Sequence, residues 1–217
     1  GTGLFGRPSM GSWATYGLGT HNRNLPSYVV LNGGRIPSGG LDNFSNGFLP
    51  ASFQGSLLNA QGTALANISP NETQGSVQQI KRDLARKLNL ELLRRSGPVD
   101  ALESAIANAE LAARMQTAAP EVTDLAGESK ATHRLYGLDR ADKRQAKFSR
   151  MCLLGRRLIE RGVRFVTLYC GGSTSTLNSW DGHRELSKNH RHMAPICDQP
   201  VAALLTDLQS RGFLDDP

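Results

Sequence analysis

Three of the chain's five histidines fall between residues 183 and 192, and an aspartate stands two residues before the first of them. The segment reads Trp180-Asp181-Gly182-His183, with His190 and His192 following. A carboxylate oxygen and an imidazole nitrogen two positions apart in an extended stretch can point at one ion. That donor pair suits zinc or another divalent metal. Asp181 and His183 are therefore candidate metal ligands. On a helix, residues two apart face different directions, so only one of His190 and His192 can join them. His190 lies nearer the loop and is the candidate third ligand. An isolated Asp-x-His is also what an ordinary exposed loop displays. Its place after a strand and the histidine clustering bring the two readings level.

The elements around the segment are those of an α/β protein. Val163 to Cys170 (VRFVTLYC) reads as a buried strand, preceded by a helix over Asp142 to Gly162 with Phe148, Cys152, Leu153 and Leu158 on its inner face. Helix, glycine, then a β-branched strand is the alternation that builds a parallel sheet. Ligands of such sheets gather beyond the carboxyl ends of the strands, where Asp181 and His183 fall. Gly171 to Thr176 reads as loop. Ser187 to Arg211 reads as a helix with Ile196, Val201, Leu204, Leu205 and Leu208 apolar, and Pro195 and Pro200 should bend or delimit its early part.

Upstream, Pro8 to Leu18 forms a short helix ended by Gly17 or Gly19, and Leu25 to Leu31 a strand. The start Arg7-Pro8-Ser9 can be read as an anion site or as a helix cap; the cap is the simpler reading. Asn32 to Pro70 is rich in Gly, Asn, Ser and Pro, and its length predicts a surface excursion that covers or lines something. From Gly75 to Arg95, Val77, Ile80, Leu84, Leu88 and Leu92 recur at helical spacing. Ser96-Gly97-Pro98 breaks that helix, a second runs from Val99 to Gln116, and Glu121 to Gly127 adds a turn. Residues 75–127 thus read as an inserted helical hairpin.

Composition removes several classes. No run approaches the roughly 18 apolar residues of a membrane span. The net charge of +6 sits largely on helices, where Lys81, Arg82, Arg86, Lys87, Arg94 and Arg95 interleave with Asp83 and Glu91. No aromatic residues alternate with these charges as in a single-strand binding groove, so a solvated helix face is expected and nucleic acid is not. The three cysteines, Cys152, Cys170 and Cys197, form no CxxC pair. They are expected as buried thiols, with one disulfide open to an exported protein. Neither a P-loop nor a G-x-S-x-G elbow occurs. Asn67-Ile-Ser and Asn71-Glu-Thr match the glycosylation acceptor pattern, a frequent chance match. The chain starts without Met or a signal sequence, and residues 212–217 read as a turn, so it is expected to be a piece of a larger domain.

Several motifs together carry a resemblance. They are Gly6-Arg7-Pro8-Ser9-Met10-Gly11-Ser12-Trp13, Tyr16-Gly17-Leu18-Gly19, Asn24-Leu25-Pro26, Gly47-Phe48-Leu49-Pro50 with Gln54-Gly55, and Leu135-Tyr136-Gly137-Leu138. Further along come Arg156-Arg157-Leu158-Ile159-Glu160-Arg161-Gly162-Val163-Arg164-Phe165-Val166, Trp180-Asp181-Gly182-His183, Asp198-Gln199-Pro200 and Asp207-Leu208 through Arg211-Gly212. The chain resembles, over nearly its whole length, the bacterial proteins grouped as domain of unknown function fifteen-oh-one. That family looks like a branch of the alkaline phosphatase/sulfatase superfamily. The resemblance implies a central sheet flanked by helices, here as one incomplete domain over residues 1–217. It implies divalent metal ions (zinc, calcium or magnesium) held by Asp and His, with Asp181 and His183 as ligands. It also implies a small-molecule or polysaccharide sulfate or phosphate ester as substrate, and export to the bacterial periplasm. The residue after Asp181 is often Thr in that pattern and is Gly182 here. The nucleophile and a second Asp-His pair belong to parts of the pattern outside this chain. The expected function is a metal-dependent ester hydrolase; the alternative is a non-catalytic exported binding protein that keeps the fold.

Overall fold

A computed structural model describes residues 6–32, 39–59, 75–97, 99–170 and 180–215. The expected loop at 171–176, the breaker Pro98 and the acceptor matches at Asn67 and Asn71 lie outside the described residues. Three strands form a parallel sheet in the order β2-β1-β3: β1 Tyr28–Asn32, β2 Ser56–Asn59 and β3 Phe165–Tyr169. Tyr28 is in register with Phe165, and Asn32 with both Asn59 and Tyr169. Six α-helices are seen among the described residues: α1 Met10–Leu18, α2 Gly75–Ser96, α3 Asp100–Thr123, α4 Lys130–Tyr136, α5 Lys143–Glu160 and α6 Leu186–Ser210. The class is α/β, as the helix-glycine-strand pattern predicts.

Alternation along β1 builds the layers. Val29 and Leu31 point into the main core with Met151, Cys152, Leu154 and Leu158 of α5, Met193 and Ile196 of α6, and Met115 and Val122 of α3. Tyr28 and Val30 point the other way, to Phe44. Burying each such side chain stabilises the fold by about 1.5–3 kcal/mol. α1 seats on the second face through Gly11, where a Cβ would come within 2.5 Å of the Tyr28 ring. Ser9 caps α1, its hydroxyl accepting from the Ser12 amide, so the N-terminal Arg-Pro-Ser is a cap as expected. Gly19, at φ 67°, closes the other end.

The structure differs from the sequence pattern at five places. β2 lies inside the stretch read as irregular; its four residues become a strand only by pairing with β1. α4 was not expected. α3 continues past Gln116 to Thr123, through Pro120, because Met115, Ala119 and Val122 are buried there. Its last carbonyls are met by cations: Arg157 donates to the carbonyls of Glu121 and Val122, and Arg150 to that of Thr123. α6 runs through both Pro195 and Pro200. Its buried positions Met193, Ile196, Pro200, Ala203 and Asp207 repeat at three-four spacing against α5, while Val201 and Leu205 face solvent. The last difference is α2, which buries no residue: Val77, Ile80, Leu84, Leu88 and Leu92 are all exposed. Its contacts to α3 run instead through polar groups, with Gln78 donating to Gln116 and Arg86 lying 3.6 Å from Glu110.

Candidate functional site

Asp181 and His183 meet. The amide of Gly182 donates to the carbonyl of Trp180 at 3.0 Å, a tight turn that folds the chain at Asp181. His183 Nε2 then lies 2.8 Å from Asp181 Oδ1, with both side chains about three-quarters exposed. Gly182 is seated on the first turn of α6: a Cβ there would come within 3.2 Å of both Asn189 Oδ1 and Leu186 Cδ1. The buried Asn189 donates its backbone N–H to the carbonyl of Glu185 at 2.9 Å. Glu185, at φ 50°, is the one described non-glycine residue with positive φ, a backbone state that costs of order 1 kcal/mol or more. Lys188 pairs with its carboxylate at 3.2 Å.

Trp180 anchors the segment. Its ring lies 5.7 Å from that of His190. His190 is therefore set against Trp180. Among the described residues no three His, Cys, Asp or Glu side chains gather in the manner of a metal cage. His192 contacts Arg144 of α5. The clefts along α3, lined by Arg82, Ala109, Ala113 and Gln116, contain none of the candidate ligands.

An Asp-His pair of this geometry fits a divalent ion. Metal–ligand bonds of about 2.0–2.2 Å hold neighbouring donors roughly 3 Å apart, so the 2.8 Å pair needs only slight opening to admit one. Two donors fill half or less of a coordination sphere. The register adds residues that pattern reading counted as loop: Asn32 and Asn59 lie side by side at the carboxyl edge of β1 and β2. The available signal was the shared Leu-Asn ending of the two strands.

A second polar cluster is buried. Arg156, 2% exposed, donates to Glu128 at 2.7 Å and to Glu160 at 2.6 Å. Its Nε lies 3.1 Å from Asp207 Oδ2 but is not aligned to donate to it. The hydroxyl of the fully buried Tyr136 donates to that same oxygen at 3.0 Å. Burial pushes Glu128 upward, yet hydrogen bonds from Arg156 and Arg157 outweigh it and hold the carboxyl below its ordinary range. For Asp207, burial is likewise outweighed, by bonds from Arg211 and Tyr136 and by the Arg156 charge. Nearby, Gln199 donates to the carbonyls of Arg134 and Leu135 and so caps the end of α4. Three of the motif segments, around Tyr136, Arg156 and Asp207, thus converge on a structural lock.

Fold and site together define an α/β protein with a parallel sheet and an exposed Asp-His turn just before α6. The whole chain, residues 1–217, matches the profile of one family, described as "Protein of unknown function (DUF1501)", and the chain belongs to that family. No curated protein and no solved structure matches it.

Proposed function

We propose that this chain carries part of the site of a metal-dependent hydrolase acting on sulfate or phosphate esters, of the alkaline phosphatase/sulfatase kind. The observation that carries the reading is the Asp181–His183 pair, 2.8 Å apart and open to solvent, on a turn between β3 and α6 in a chain with a parallel sheet. Asp181 Oδ1 and His183 Nε2 would hold a divalent ion, with further donors from elsewhere. His190 is retained as a third donor only if it leaves the Trp180 ring. When bound, such an ion neutralises an anionic ester oxygen and activates the attacking nucleophile. The chain's own part is to fix the donors. The Trp180–Gly182 turn sets their spacing, and the seat of Gly182 on Asn189 sets their direction. Arg184, Lys188 and Arg191 place positive charge in the same span, which suits an anionic substrate. Export to the periplasm belongs to the same proposal.

Metal analysis of the purified protein tests it. About one divalent ion or more per chain is expected, with sharply reduced content in Asp181→Ala. Absence of stoichiometric metal, or content unchanged by the substitution, removes the assignment.

A second reading, a binding protein on the same fold, draws on the exposed aromatic row of α1. Trp13 packs edge-on to Tyr16 and to Phe48 at 6.0 and 5.6 Å. Such a row can stack on apolar or sugar faces. Retention on a polysaccharide column that is lost in Trp13→Ala, without metal or hydrolysis, would favour it.

A further inference from the structure

Helix α2 combines two features on one surface. The first is an outward apolar row. Its half-buried positions, Gln78, Arg82, Asn89 and Leu93, share the side turned toward α3. There Gln78 and Arg86 meet Gln116 and Glu110. At about 100° per residue, Val77, Ile80, Leu84 and Leu88 fall on the opposite side. Ile80 is 66% exposed, Leu84 56% and Leu88 62%. The second feature is charge. α2 carries six Lys or Arg residues and two Asp or Glu, an excess of four positive charges. By the same helical spacing, Lys81 and Lys87 border the apolar row on its two long edges. The acids do little to oppose them. Glu91 is ion-paired with Arg94 at 3.0 Å and with Arg95 at 3.7 Å, and Asp83 accepts from Gln79.

We propose that α2 is a membrane-surface helix that lies in the plane of an anionic bilayer. Val77, Ile80, Leu84 and Leu88 enter at the level where headgroups meet acyl chains, and the cations meet lipid phosphates. A long helix with an apolar row and a Lys/Arg-rich border binds interfaces in this way, through buried apolar area and attraction to anionic lipid. The lysines suit the edges because their methylene stems lie along apolar surface while the ammonium groups stay with the headgroups. α2 rests on the bilayer and does not span it: no described helix is long and apolar enough to cross a membrane. The charge selects this occupant. A second copy of the chain would set the same positive excess against itself. An anionic lipid surface answers both features at once, and each cation near it strengthens binding about fivefold. The surface is on a different element from the Asp181–His183 turn and needs no metal there.

The test is flotation of the full chain with vesicles. It should float with vesicles of equal parts phosphatidylglycerol and phosphatidylcholine and stay free with phosphatidylcholine alone. High salt should weaken the binding, since screening acts on the charge part. Leu84→Gln combined with Leu88→Gln should weaken it by about tenfold or more, as should Lys81→Glu combined with Lys87→Glu. Both variants should keep the parent's circular dichroism and Tm, because the replaced side chains are exposed. No flotation with either vesicle, equal flotation with both, or flotation unchanged by the leucine substitutions would each overturn the proposal. A dimer in sedimentation velocity that the leucine substitutions split would overturn it in favour of a second copy on this face. Flotation lost in Trp13→Ala but kept in the α2 variants would overturn it by moving the contact to α1.

Discussion

Two charged clusters in this protein have opposite surroundings. The Arg156 cluster lies under α4, α5 and α6, with its arginine 2% exposed and carboxylates from Glu128, Glu160 and Asp207 gathered around it. The Asp181–His183 pair stands about three-quarters exposed on a turn. In the buried cluster the charges are turned toward one another, and removing one strands the rest in a low-dielectric interior. In the exposed pair, solvent already screens the contact, so its contribution to folding is small. A dense buried network is thus a sign of architecture, and a sparse exposed pair is where an external ligand can be met.

The largest effect should come from the buried cluster. Arg156→Met leaves Glu128 and Asp207 without their central cation and should cost about 3–5 kcal/mol in urea unfolding. A loss under about 1 kcal/mol would mean that water reaches the cluster and that the contrast with the pair is overstated. Next comes the seat of α1. Gly11→Ala drives a methyl into the Tyr28 ring and should cost about 1–3 kcal/mol by the same measurement.

Acid sharpens the comparison. Glu128 and Asp207 have depressed values in the folded state, so the unfolded chain binds protons more readily than the native one. Their stabilisation is present above their ordinary values of 4.5 and 3.8 and is lost as pH falls through the lower folded values. Stability followed from pH 6 down to pH 2 should fall steeply in the parent protein and less steeply in Arg156→Met. Identical slopes would place the acid sensitivity elsewhere.

The smallest effects on folding belong to exposed sites. Asp181→Asn and His183→Gln should each shift stability by under about 0.5 kcal/mol, while divalent-metal retention falls. A large loss of stability in either would make the pair a structural element after all. Leu84→Gln on the outward face of α2 should be equally silent. A cost above about 1 kcal/mol would show that this face is covered in solution.

Residue pattern alone determined five of the six described helices, two of the three described strands and the Asp-x-His pair. Those features rest on local signals: three-four apolar spacing for α5, the β-branched run of β3, and two donors two residues apart. Tertiary structure decided the rest because the causes are non-local. Ser56–Asn59 is a strand only because β1 offers a parallel edge. The apolar stripe of α2 has the same spacing as the buried face of α5, and periodicity cannot say whether a partner lies opposite; here α3 meets the polar side. α6 continues through two prolines because its other positions pack on α5. Arg156, Glu128 and Asp207 are dispersed in sequence and are drawn together only by burial. The candidate ligands themselves were legible at residues 181 and 183. The turn that sets their 2.8 Å separation, and the ring contact between Trp180 and His190, came from the fold.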